Sequence, residues 1–89
     1  MSMSIAILLP ELGTGDEIVR VSAWLIDPGD CVVAGDRIVE VLIRGVSFDV
    51  SAPASGVLAG IEKPLDAVVA AGDTLGRIEP GELFAENAT

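Results

Sequence analysis

The chain has 89 residues, 51% of them apolar, and five basic against fourteen acidic side chains give it a formal net charge of −9. That length supports one domain with a single modest core. The acidic balance disfavours nucleic acid or an anionic membrane as partner and suits a basic protein patch, and without histidine there are no Ser-His or Cys-His nucleophile pairs and no histidine metal sites.

Aromatic residues are few (Trp24, Phe48 and Phe84), so the core must be built from valine, isoleucine, leucine and alanine. The first two prefer pleated, half-buried surfaces. Ten glycines and five prolines are spread along the chain, marking frequent turns between short strands, an all-β pattern. The single Cys31 excludes an internal disulfide; beside Val32 and Val33 it reads as a small buried hydrophobe, not a reactive thiol. No apolar run reaches the roughly 18–20 residues of a membrane span. Met1 to Pro10 carries no basic n-region, so no secretory signal is expected and the compartment expected is the reducing cytoplasm.

In chain order, Ser4 to Leu9 is a short apolar run stopped by Pro10. Leu12-Gly13-Thr14-Gly15-Asp16 is a loop, too short for a phosphate cradle and followed by no helix or lysine. Glu17 to Ile26 is a second run, with Arg20 and Ser22 on alternate positions and Trp24, a packing residue, near its end. Asp27-Pro28-Gly29-Asp30 is a turn, because proline presets φ, glycine accepts positive φ and aspartate bonds nearby N–H groups. Cys31 to Val33 is a brief strand, and Ala34-Gly35-Asp36 turns again. Ile38 to Ile43 and Val46 to Val50 then flank a two-residue Arg44-Gly45 interruption. This is the signature of a tight hairpin, with glycine taking the positive φ. Ser51 to Gly56 is the next break.

After it the pattern recurs. Asp30-Cys31-Val32-Val33-Ala34-Gly35-Asp36-Arg37-Ile38 has a counterpart in Ala67-Val68-Val69-Ala70-Ala71-Gly72-Asp73-Thr74-Leu75, and Val41 falls opposite Ile78. Two copies of one strand–turn–strand unit are implied. Neither buries both faces alone, so they are expected to pack face to face. Asp27, Asp30, Asp36 and Asp73 are read as turn caps, not as an acid pair or calcium ligands. The architecture expected is all-β: a flattened barrel of two small antiparallel sheets with quasi-twofold symmetry over residues 1–79. Residues 80–89 are expected to form a flexible, proline-broken tail.

Leu12-Gly13-Thr14-Gly15, Trp24-Leu25-Ile26-Asp27-Pro28-Gly29-Asp30, Ala34-Gly35-Asp36 and Glu40-Val41 together resemble the lipoyl/biotinyl carrier domain family. The likeness is greatest to the lipoyl domain of the dihydrolipoamide acyltransferase subunit of 2-oxo acid dehydrogenase complexes. Val50-Ser51-Ala52-Pro53-Ala54-Ser55-Gly56-Val57-Leu58 matches the family's corner after the central hairpin, and Gly72 with Leu75 to Glu79 matches its closing strand. The resemblance covers roughly Ile5 to Glu79 and rests on order and spacing, not on any one motif. It implies the barrel-sandwich hybrid fold, the same flattened barrel that the internal repeat predicts. It also implies a lysine at the hairpin tip, to which an enzyme joins lipoate or biotin as a swinging arm. That chemistry needs a primary amine to attack the activated acid.

The tip departs from the family pattern. Lipoyl domains carry Asp-Lys-Ala there and biotinyl domains Met-Lys-Met, whereas this chain has Arg44-Gly45-Val46. Gly45 stands at the acceptor position without a side chain, and the Arg44 guanidinium stays protonated and is a poor nucleophile. Lys63, the only lysine, falls opposite Ile26 in the repeat and is expected to be a solvated surface residue. Asp66-Ala67 replaces the family's Gly-Asp, so that turn is expected to be rebuilt, with Pro64 setting φ.

The reading that follows is a non-lipoylated docking or structural module without lipoate, metal or catalytic residues. It would be at most a non-catalytic domain of an acyltransferase multienzyme complex. Its partners would be proteins, the subunits of a 2-oxo acid dehydrogenase-like complex, with no nucleic acid and no membrane. The alternative is a genuine lipoyl/acyl carrier domain of a dihydrolipoamide acyltransferase. The lipoyl-like module of an efflux or secretion adaptor is disfavoured, since those usually carry a long helical insertion at the hairpin. Arg44 is the only positive charge expected near the tip. A partner's carboxylate or phosphate could use it, but an unengaged, solvated turn arginine is the simpler expectation.

Overall fold

The computed structural model describes residues 3–13 and 15–80. Eight strands follow in order: β1 (Ile5–Leu8), β2 (Val19–Trp24), β3 (Cys31–Val32), β4 (Arg37–Ile43), β5 (Val46–Ser51), β6 (Gly56–Ile61), β7 (Val68–Val69) and β8 (Thr74–Glu79). Among the described residues there is no helix. The strands form two four-stranded antiparallel sheets, ordered β1-β8-β6-β3 and β5-β4-β2-β7. This is the flattened barrel expected from the repeat. The expected tail falls almost wholly on residues 81–89, which lie outside the described residues, as does Thr14 of the first loop.

The repeat is visible bond by bond. Gly29 donates its N–H to the Leu58 carbonyl and Leu58 donates to Asp30; in the other half Asp66 donates to Val21 and Val21 to Ala67. The Asp36 carboxylate accepts from the Val33 N–H at 2.9 Å, and the Asp73 carboxylate accepts from Ala70 at 2.8 Å. With Asp30 accepting from the Asp27 N–H at 2.8 Å, Asp30, Asp36 and Asp73 are turn caps, each satisfying a backbone donor that no strand reaches; Asp27, expected to be a cap, is instead the residue that Asp30 caps.

The second copy of the first turn is rebuilt in a coordinated way. Pro64 stands where Asp27 stands in the first half, and Ala67 where Asp30 stands. Proline has no N–H, so the carboxylate that would receive it can be lost without leaving a donor unsatisfied. The turn still closes, with Ala67 donating to the Pro64 carbonyl at 3.0 Å. The positive φ held by Gly29 is held here by Asp66, at φ 72°, a conformation aspartate tolerates better than most side chains.

Alternation along the strands fills the space between the sheets. In β4, Val39, Val41 and Ile43 point inward while Leu42 is exposed. Ile7, Val21, Val32, Leu58, Leu75 and Ile78 meet them, and every buried residue of the core is aliphatic. No buried side-chain nitrogen or oxygen among the described residues lacks a partner, so cohesion rests on apolar burial and the sheet ladders. Ile38 is fully buried in that core. Ile38→Ala is therefore expected to cost about 3 kcal/mol, within the ~2–5 kcal/mol range of such truncations, read as a lower urea midpoint with unchanged slope.

Cys31 departs from the sequence expectation. It is exposed, not a buried hydrophobe, because the two residues of β3 can turn only one side chain inward and Val32 takes that place. Trp24 packs against the core as expected. Its indole N–H donates to the Lys63 carbonyl at 2.8 Å, and its ring lies over Gly76, where an added methyl group would come within 2.9 Å of Cη2. The positions related to Trp24 and Gly76 by the repeat are Ile61 and Val39. One half thus places a very large residue opposite a very small one, and the other half uses two of middle size.

Candidate functional site

The hairpin joining β4 and β5 pairs Ile43 with Val46, Leu42 with Ser47 and Val41 with Phe48, leaving only Arg44 and Gly45 in the turn. Gly45 has φ 80°, as the sequence suggested, but Arg44 is left-handed as well, at φ 51°. Two consecutive positive φ values define a type I′ turn, whose twist matches that of the strands it joins. Because two-residue hairpins favour this turn, the spacing of the arms could have flagged Arg44 too. A side chain in this region costs about 1–2 kcal/mol, and asparagine is better suited to it. Arg44→Asn is expected to raise the unfolding free energy by about 0.5–1 kcal/mol, checked by urea denaturation.

At Gly45, an added Cβ would have nothing within 4 Å, so the tip is open to solvent. Val46, the first residue of β5, is 54% exposed. Arg44 is not unengaged: its Nε lies 3.6 Å from Glu17 Oε1, with the two side chains 74% and 43% exposed. An ion pair this exposed contributes little stability; its effect is to cover one acidic group with the tip's one cation. Glu17 is there because Val19, two residues on, pairs with both Ile43 and Val69 at the tip end of the sheet. Backbone bonds from Leu9 to Asp73 and from Gly72 to Leu9 bring the loop after β1 against the start of β2 and the end of β7, where Leu9, Leu12, Glu17, Val19 and Val69 line a shallow cleft.

Lys63 lies outside this constellation. It follows β6, is half-buried and not fully solvated, and its backbone is held at both ends. The N–H donates to the Leu75 carbonyl at 3.0 Å and the carbonyl receives the Trp24 indole. Among the described residues no group of acidic and cysteine side chains could hold a metal ion. The tip offers a guanidinium and a bare backbone; neither is an acylable primary amine.

The biotin/lipoyl family model, described as "Biotin-requiring enzyme", matches residues 5–78. The chain belongs to this family. It is 30% identical over 86 residues to the dihydrolipoyllysine-residue succinyltransferase component of the 2-oxoglutarate dehydrogenase complex of Rickettsia bellii, covering 97% of this chain and 22% of that protein. It is 38% identical over 72 residues to the dihydrolipoyllysine-residue acetyltransferase component of the pyruvate dehydrogenase complex of Mycobacterium bovis, covering 81% of this chain and 13% of that protein. The chain thus spans less than a quarter of the length of these curated relatives. Among solved structures, the lipoyl domain of the 2-oxoglutarate dehydrogenase complex of Azotobacter vinelandii superposes with a TM-score of 0.60 at 29% identity, covering 91% of this chain and 99% of that domain. The chain is a lipoyl-domain module related to the acyltransferase subunits of 2-oxo acid dehydrogenase complexes.

Proposed function

We propose that this module is a lipoyl-type domain without an attachment residue, acting as a non-lipoylated docking or structural unit in an assembly related to the 2-oxo acid dehydrogenase complexes. One observation carries the reading. The turn of the central hairpin consists of Arg44 and Gly45 alone, and the only lysine in the chain, Lys63, sits at another turn with its backbone tied to Trp24 and Leu75. The residues present at the tip do not fit an amide-linked lipoate or biotin, so no step through such a group is assigned to it. On this reading the domain is not itself an enzyme, and its partners are protein subunits that recognise the sheet and loop surfaces around the tip.

The second reading, a working acyl carrier, is favoured by the names of the relatives, both of which are dihydrolipoyllysine-residue transferases. Incubating the purified chain with a lipoate–protein ligase, ATP and lipoate distinguishes the two. An unchanged intact mass is expected; a mass increase by one lipoyl group would support the carrier reading instead.

A further inference from the structure

Three of the four sheet edges are short or interrupted, and β5 is the exception. β3 and β7 have two residues each, and β1 has four with Pro10 just beyond. β5 has six residues, none of them proline or lysine, and is the outermost strand of its sheet. Long edges without such interruptions are templates for pairing with another strand. Its one charged residue, Asp49, is already paired with Arg37 at 3.3 Å. Val46 and Phe48 lie on the side of the sheet that faces the core, opposite Ile43 and Val41. They nevertheless remain 54% and 38% exposed.

We infer that β5 is a self-association edge whose occupant is the β5 strand of a second copy of this chain, running antiparallel. The sequence argues for a second copy. Val46-Ser47-Phe48-Asp49-Val50 reads apolar, polar, apolar, polar, apolar in both directions about Phe48, and such a palindrome is what an isologous twofold contact needs. The backbone agrees. A two-residue hairpin closes on a hydrogen-bonded pair, Ile43 with Val46, so Phe48 and Val50 also bond inward to β4 while Ser47 and Asp49 turn their N–H and C=O groups outward.

With the twofold axis at Phe48, the outward groups of Ser47 face those of Asp49 in the second copy, and the reverse. Val46 then meets Val50, and the two Phe48 rings meet across the axis. A register centred on Asp49 would set two carboxylates directly opposite each other, which is unfavourable. A register centred on Ser47 draws the bare Gly45 turn into the ladder and leaves Val50 without an apolar partner.

The contact is small and joins two chains of net charge −9 each, so it is weak and strengthens as salt screens the repulsion. A basic partner strand would show the opposite salt dependence. Sedimentation equilibrium of the full 89-residue chain, with a thiol reductant present because Cys31 is exposed, tests the inference. At roughly millimolar concentration in added salt, the mean mass is expected to rise above the 9.1 kDa of one chain. Ser47→Pro removes an outward N–H that β4 does not use, a place where an edge strand accepts proline. It is expected to abolish the rise while leaving the circular dichroism spectrum unchanged. Phe48→Lys, which places a charge on the axis, is expected to do the same. A wild-type chain that stays monomeric under these conditions would overturn the inference. So would self-association that persists in both variants, or that weakens with salt.

Discussion

Gly76→Ala is expected to lower the unfolding free energy by about 2–3 kcal/mol, at the upper part of the ~1–3 kcal/mol range for overpacked interiors. Gly76 sits in the middle of β8 and is buried. A methyl group there would come within 2.6 Å of the Gly60 carbonyl oxygen on one side and 2.9 Å of Trp24 Cη2 on the other. The first neighbour is backbone, held in the β6–β8 ladder that pairs Gly60 with Arg77. The second is a ring anchored through its indole N–H to Lys63. Neither can retreat without breaking another contact, which puts this substitution well above an ordinary surface change. Urea unfolding followed by circular dichroism measures it. The double variant Trp24→Phe, Gly76→Ala separates the two neighbours. Shortening the ring relieves one clash and not the other, so the two effects are expected to fall short of additivity by about 0.5 kcal/mol or more. A loss under about 0.5 kcal/mol for Gly76→Ala alone would mean that neither neighbour resists the added methyl group.

Gly45→Lys is expected to turn an inert chain into a substrate of lipoate–protein ligase. The tip is open, with nothing within 4 Å of the new Cβ, so the side chain projects into solvent with its amine free. The conformational penalty of a lysine at φ 80° is about 1–2 kcal/mol, small beside the 5–15 kcal/mol of a typical domain. The readout is intact mass after incubation with ligase, ATP and lipoate, run beside the wild type. If Gly45→Lys is not modified, the surface around the tip has departed from that of a carrier by more than its acceptor. Adding Arg44→Asp, which also frees Glu17 from its 3.6 Å ion pair, then asks whether the neighbouring charge is responsible.

Much of this molecule is legible in one dimension because its turns carry chemistry that local sequence must supply. The Gly35-Asp36 and Gly72-Asp73 pairs could be matched by eye because each glycine holds a positive φ, at 95° and 89°. Each aspartate caps the N–H three residues earlier. The central hairpin was visible for the same reason, and so were the aliphatic strands on either side of it. Arg44 is less legible: glycine signals one left-handed place, whereas a two-residue hairpin of this twist needs two.

Other features depend on what lies far away in sequence. Cys31 has apolar neighbours, but a two-residue strand has no periodicity to say which side chain faces in. Trp24 over Gly76 is a contact between the two sheets, and only the repeat comparison with Ile61 and Val39 hints that their sizes are exchanged. The pairing of Arg44 with Glu17 depends on the register that places Val19 opposite Ile43, a non-local fact. The exposure of Val46 and Phe48 depends on β5 lying at the edge of its sheet, which no local pattern reveals.

The intact mass of the protein recovered from its native host decides whether the domain carries a prosthetic group. A polypeptide with no lipoyl or biotinyl group on any residue is expected. A lipoyl or biotinyl adduct on the recovered chain, mapped by peptide sequencing to Lys63 or to the main-chain amine, would contradict that expectation.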